Sequence, residues 1–179
     1  MRKPLLALTV LAGVVTAATP AAAAPTDDTI VTFSVGTANL EIFAPTSVNL
    51  GSTFAGSIIQ GQLGSVQVVD QRAALNATWV ATVSSTEFTT GSGSPEETVP
   101  PGLIEYWSGP PLSSTGTGTF VPGQPTQAEA VTLSVPRTAF SKTSGSGNNS
   151  VTWNPTLRVN VPGTVVAGTY TATVTHSVA

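Results

Sequence analysis

The sequence contains no cysteine and only one histidine among its 179 residues. Without cysteine it forms neither a disulfide framework nor a thiolate metal site, so stability has to come from burial. The single histidine, His176, is too little for a histidine-rich metal cage, and no sequence pattern pairs it with a serine or a carboxylate in a triad. We therefore expect no catalytic residue, no metal and no cofactor, with His176 held by a hydrogen bond inside the fold.

Charge is almost as scarce, at 8% of the residues. Beyond Arg2 and Lys3, which lie in the leader described next, four basic residues stand against nine acidic ones, a net charge of −5. The four basic residues are scattered, whereas phosphate binding needs clustered Lys and Arg, so nucleic acid is not an expected partner. A surface with so few charges must be covered by Thr, Ser, Asn and Gly, which is typical of a secreted β protein.

Long apolar runs are missing except near the N-terminus. Arg2 and Lys3 precede an apolar run from Leu5 to Ala18, and small residues follow, which is the pattern of a secretory signal peptide. Cleavage is predicted after Ala23, leaving residues 24–179 as a single domain of 156 residues. The run is shorter than the ~20 apolar residues of a spanning helix, so we expect secretion and no membrane span after cleavage.

A period-two pattern dominates the rest of the chain. Around Trp79, alternate residues are apolar while most of their neighbours carry hydroxyl or amide groups, so Trp79 is predicted to be a core anchor. Trp153 has the same parity as its apolar neighbours, and a predicted last strand, residues 168–178, places Tyr170 and His176 on its apolar face. Residues 29–35 alternate as well. We predict an all-β fold, a single antiparallel β-sandwich of roughly nine or ten short strands.

Two features outside this pattern are candidates for contact with a ligand. Residues 91–102, rich in Gly, Ser and Pro, predict a long exposed loop. Further on, Tyr106 and Trp107 are neighbours in a short strand, so one of the two rings should point outward, where it could stack on a sugar ring. The alternative is a surface aromatic without a function, which is common in monomers.

Asp70 and Arg72 lie two residues apart at the end of an apolar run, on the same side of the chain. We expect them to pin the turn that leads into the Trp79 strand. As an exposed ion pair they would contribute only ~0–1 kcal/mol, so their value would lie in turn geometry.

The run VVDQRAALNATWVATV resembles the first signature of the WxL cell-surface domain, in which V-x-D-x-R-G leads into G-W-x-L-x-V. Asp70, Arg72 and Trp79 match it, whereas Ala73 stands in place of Gly and Ala81 in place of Leu. Residues 35–51 are similar to the opening of that family. The end, GTYTATVTHSV, resembles its closing signature, with His176 in place of the second Trp.

The resemblance implies a secreted, non-catalytic module attached to the Gram-positive cell wall without a covalent bond. The richness in Ala, Gly, Thr and Pro, with only two lysines, is typical of a GC-rich genome. The expected partner is then a cell-wall polymer or another surface protein. Two alternatives stay open. One is a carbohydrate-binding module for a soluble glycan, using Tyr106 or Trp107, and the other is a strand-pairing subunit of a surface protein assembly.

Overall fold

The computed structural model describes residues 29–179. The predicted signal peptide, residues 1–23, lies outside them. The chain divides into two units, Met1–Ser34 and Val35–Ala179. Of the first unit, residues 29–34 are described, and they contain no strand, so the strand predicted over residues 29–35 is not formed.

The second unit is built from β-strands, which confirms the predicted all-β class. Its regular structure beyond strands is limited to short 3₁₀ turns at Pro95–Glu97, Pro101–Leu103 and Gln127–Glu129. Within residues 29–179, no helix has the length and apolar character needed to cross a membrane. The strands are β1 Leu40–Phe43, β2 Ile58–Gln62, β3 Val66–Asp70, β4 Trp79–Ser85, β5 Phe88–Thr89, β6 Thr98–Val99, β7 Ile104–Trp107, β8 Pro111–Thr115, β9 Phe120–Pro122, β10 Val131–Thr132, β11 Arg137–Lys142, β12 Asn149–Trp153, β13 Thr156–Asn160 and β14 Val174–Val178.

These strands form several antiparallel sheets that pack together as a sandwich. Three sheets have four strands each, in the orders β1-β3-β12-β8, β10-β7-β13-β2 and β14-β4-β11-β9, and β5 pairs with β6. The chain crosses directly between the first two sheets at two places. Strand β2 of the second sheet is followed closely by β3 of the first, and β12 of the first sheet is followed by β13 of the second after a short bend. Pro155 lies at that second bend, where a proline removes no ladder hydrogen bond.

The core sits between the sheets and follows the period-two pattern. In β4, Trp79, Ala81 and Val83 are buried, while Val80 is 43% exposed. Across the core, the rings of Phe140 and Trp153 stack with centroids 5.0 Å apart. Strands with one buried face therefore supply the burial on which a chain without disulfides depends.

Several boundaries differ from the sequence expectation. The last strand is only Val174–Val178, and the residues before it make just one isolated bridge, Thr171 to Thr89. The predicted loop 91–102 contains two 3₁₀ turns and strand β6. Strand β8, Pro111–Thr115, was not predicted from the sequence. Fourteen strands replace the predicted nine or ten within residues 29–179, in part because three of them, β5, β6 and β10, are only two residues long.

Candidate functional site

Asp70 and Arg72 form a two-pronged ion pair at the end of β3. Arg72 Nε donates to Asp70 Oδ1 at 2.9 Å, and Arg72 Nη2 donates to Asp70 Oδ2 at 2.9 Å. The Arg72 guanidinium also reaches the carbonyl of Thr78, one residue before β4. These hydrogen bonds from Arg72 lower the pKa of the Asp70 carboxyl below its ordinary value of 3.8. The pair ties the end of β3 to the beginning of β4.

Asn149 joins this pair to Trp79. It stands opposite Asp70 in the β3–β12 ladder, and its Nδ2 donates to Asp70 Oδ2 at 3.1 Å. Its Oδ1 accepts a 2.9 Å hydrogen bond from Trp79 Nε1. Asp70, Trp79 and Asn149 are all buried. We call the four residues Asp70, Arg72, Trp79 and Asn149 the polar frame; its buried polar atoms bond to one another, as a buried network requires.

The turn inside this frame carries local strain. Ala73 has a φ of 51°, in the left-handed region where an L-residue other than glycine is disfavoured. The WxL signature has Gly at the matching position. The backbone N–H of Ala73 donates to Asn148 Oδ1 at 3.1 Å, which holds the turn in place.

Lys142 completes the buried polar part of this region. It is 1% exposed, and its Nζ donates to the carbonyls of Ala77 and Ser144 at 2.9 and 2.7 Å. Burial lowers the pKa of the Lys142 ammonium group. The ammonium group lies 5.9 Å from the centre of the Phe120 ring, within reach of a cation–π contact. Lys142 thus ties the loop before β4 to the loop after β11.

A second buried cluster contains three of the residues singled out in the sequence. Trp153 Nε1 donates to the Tyr106 hydroxyl at 3.3 Å, and this hydroxyl lies 3.2 Å from His176 Nε2. Tyr106 is fully buried, so its ring is not available to stack on a sugar. Burial also raises the pKa of its hydroxyl. Trp107, on the opposite face of β7, is half-buried and is the one of the two neighbours that faces outward.

His176 supplies the imidazole of this cluster. It is half-buried on β14, and the loss of solvent lowers its pKa to about 4 from an ordinary 6.5. The ring is therefore neutral at neutral pH, and one of its nitrogens is shared with the Tyr106 hydroxyl.

A pH effect on folding follows from the neutral His176 ring. In the unfolded chain the imidazole has its ordinary pKa of 6.5, and in the folded protein its pKa is about 4. The folding stability that the neutral ring allows is therefore fully present above pH 6.5 and is lost as the pH falls towards 4. Since the ring keeps some solvent contact, we expect a loss of about 2 kcal/mol rather than the full linkage value. Urea unfolding at several pH values tests this. In His176→Gln the dependence between these two pH values should be much weaker, and an unchanged dependence would contradict the assignment.

A concave feature with a volume of about 990 Å³ lies at one side of the sandwich. Its walls are the two irregular segments 44–55 and 165–174, and its floor includes Val66, Leu157 and Val159 from the core. We call this feature the apolar groove. His176 lies in it, and Tyr170 stiffens one wall by donating a 2.8 Å hydrogen bond to the carbonyl of Val166.

Charge is missing from the lining of the apolar groove. In the described part of the chain, its lining residues include no Asp, Glu, Lys or Arg. Large apolar side chains on its walls remain in contact with solvent, since Val48 and Phe54 are 48% and 85% exposed. An uncharged concavity that mixes apolar side chains with hydroxyl, amide and imidazole groups matches an uncharged partner.

The structure brings together Asp70, Arg72 and Trp79 in one cluster and Tyr106, Trp153 and His176 in another, while Tyr170 and His176 meet the groove. Sequence reasoning missed Asn149, Lys142 and the groove itself. A signal for Lys142 existed, because it shares the parity of the buried Phe140 in β11. Among residues 29–179, no group of three or more His, Asp or Glu side chains is placed to hold a metal ion. Comparison with known proteins found no matching family, no similar curated protein and no similar solved structure.

Proposed function

We propose that this protein is a secreted, non-catalytic module of the bacterial cell envelope that binds its partner through the apolar groove. The observation that carries the proposal is the groove itself, about 990 Å³ of concave space whose lining, within residues 29–179, contains apolar and neutral polar side chains and no charged one. The signal-peptide pattern and the WxL-like signatures of the sequence support the location. The expected partner is a cell-wall component or a protein of the cell surface.

The role given to the groove follows from where the signature residues lie. Asp70, Arg72 and Trp79 direct their polar atoms at each other and at Asn149, so they support the strands. In the second cluster, His176 shares its Nε2 with a tyrosine hydroxyl whose pKa is raised. An imidazole that is neutral and hydrogen-bonded in an apolar wall is suited to orienting a bound group. Because the polar frame supports the strands while the groove stays open to a partner, the arrangement favours a binding module.

Binding through such a surface is expected to resist salt. Contacts between apolar groups and hydroxyls are not screened by ions, whereas an ion-paired interface weakens as the Debye length shortens. The purified chain from Ala24 onward should therefore pellet saturably with isolated Gram-positive cell walls at low and at high salt. Walls stripped of covalently attached polymers identify which layer is recognised.

Matched variants assign this binding to a surface. Val48→Asp places a charge on the groove wall and should lower wall binding by about tenfold or more, since an unpaired charge is costly to desolvate. Val121→Asp, at a residue that is 40% exposed and outside the groove lining, is the control. Protein that stays in the supernatant under all conditions contradicts the proposal. If Trp107→Ala abolishes binding while Val48→Asp does not, a glycan site at Trp107 replaces it.

A further inference from the structure

Residues 29–35 carry large apolar side chains that face solvent. Ile30, Val31, Phe33 and Val35 are between 74% and 91% exposed. The run TIVTFSV has no charged residue, and Val31, Phe33 and Val35 share one parity. Alternation of this kind is the signature of a strand, and so apolar an exposed stretch with strong β propensity tends to pair with another chain. The segment has the sequence of a strand, yet within residues 29–179 it pairs with no other strand.

One wall of the apolar groove offers the matching main-chain groups. Within residues 29–179, the backbone N–H and C=O groups of residues 46–50 make no hydrogen bond to another backbone group. The same stretch carries Val48, whose side chain is half exposed at the groove. Unpaired backbone groups along an exposed, uncharged wall form a template on which an extended chain can add as a strand.

We infer that residues 29–35 of one copy bind as a strand in the apolar groove of a second copy. Val31, Phe33 and Val35 enter the groove, and the inserted backbone pairs with residues 46–50. Neither the strand nor the groove lining carries a charge, so no ionic group loses its water on insertion. The inference rests on the proposed function for the use of the groove and names the partner that the groove receives.

The connection of β1 favours a second copy as acceptor. The chain enters β1 at Leu40, which pairs with Asp70, and Asn39 is bonded to Gln71 just beyond it. The groove begins at the opposite end of β1, because its lining starts at Ala44, directly after Phe43. Residues 35–39 therefore lead away from the end of β1 at which the groove lies.

Each copy supplies a donor segment, residues 29–35, and an acceptor groove built from other residues. A contact of this type joins unlike surfaces, so it repeats from copy to copy and gives rings or chains. Assembly of this kind would present many modules in a row at the cell surface.

The experiment is light scattering after size exclusion of the chain from Ala24 onward, over a wide range of protein concentration. Wild-type protein should form dimers and larger species as concentration rises. Phe33→Asp should weaken association by about 10- to 100-fold, the value expected for removing one buried aromatic anchor. Val48→Asp should weaken it similarly from the acceptor side. Thr32→Asp, on the other parity of the donor, and Val121→Asp, outside the groove, are the matched charge controls.

Mixing the two impaired variants gives the sharper result. Phe33→Asp keeps an intact groove and Val48→Asp keeps an intact donor, so the mixture should form 1:1 dimers that grow no further, while each variant alone stays monomeric. A synthetic peptide of residues 29–36 should compete with this dimer. Unchanged circular dichroism and melting temperature confirm that the variants are folded.

Wild-type protein that remains monomeric at all concentrations overturns the inference, as does association that both variants leave intact. The proposed function fails separately. If wild type is monomeric but Val48→Asp still reduces wall pelleting, the groove binds the wall and the inference that residues 29–35 occupy it is contradicted. If wild type assembles but does not pellet with walls, the inference about residues 29–35 is supported and the proposed binding to the cell wall is contradicted.

Discussion

Replacing Trp79 by alanine is expected to lower the free energy of unfolding by about 3–5 kcal/mol. The Trp79 ring is 2% exposed, lies 6.2 Å from the Phe120 ring, and donates to Asn149 Oδ1. Its removal leaves a large cavity and an amide oxygen without its donor. Urea unfolding followed by circular dichroism measures the change, because the intrinsic fluorescence itself is altered by the substitution.

Two companion variants separate the contributions of Trp79. Trp79→Phe keeps most of the packing but loses the hydrogen bond to Asn149, so a smaller loss of about 1–2 kcal/mol is expected. Val80→Ala, at the neighbouring residue that is 43% exposed, should change stability by less than about 1 kcal/mol. An unfolding free energy that is unchanged in Trp79→Ala would show that the ring is not part of the core.

Replacing Asp70 by alanine is expected to cost about 3 kcal/mol, the low end of the range for breaking a buried ion pair. The low end applies because the Arg72 side chain is 36% exposed and regains water more easily than a buried cation would. Asp70 itself is fully buried, and its loss removes the acceptor of both Arg72 and Asn149. Urea unfolding near neutral pH gives the value.

The free energy of unfolding that Asp70 contributes should also depend on pH, because it requires the ionised carboxylate. Its pKa is lowered in the folded state, so the stability it contributes is fully present above its ordinary pKa of 3.8 and disappears as the pH falls through the lowered value. The difference between wild type and Asp70→Asn should therefore be largest near neutral pH and should shrink in strong acid. A difference that stays constant throughout would mean that the charge of Asp70 is not what stabilises the frame.

The sequence could predict those parts of the fold that local patterns encode. Alternation in β4 placed Trp79 on the buried parity, and Tyr106 and Trp107 were expected to face opposite sides of β7, as they do. The all-β class follows from the same signal, because one buried face per strand leaves its mark on every second residue. Pattern also misled, since residues 29–35 and 168–173 alternate without forming strands. A strand needs a hydrogen-bonded neighbour as well as a pattern.

The candidate site was less predictable, because its members are distant in sequence. Asn149 meets Asp70 only through the register of β12 against β3, and a shift by one residue would turn its side chain to the other face. No sequence pattern near Asn149 indicates how β12 is aligned with β3. The groove is harder still, since it is the space left between two irregular segments and the edges of two sheets.

By itself, then, the sequence determined the class of fold, the absence of disulfides, the low charge and the buried parity of the main strands, because each depends on composition or on neighbours within a few residues. Only the tertiary structure decided that Asp70, Arg72, Trp79 and Asn149 form one frame, that Tyr106 is buried against His176, and that an uncharged groove lies open on one side. These depend on strand register and sheet packing, through contacts whose partners lie up to 79 residues apart in the frame. Local periodicity contains no information about contacts between residues that are so far apart in the sequence.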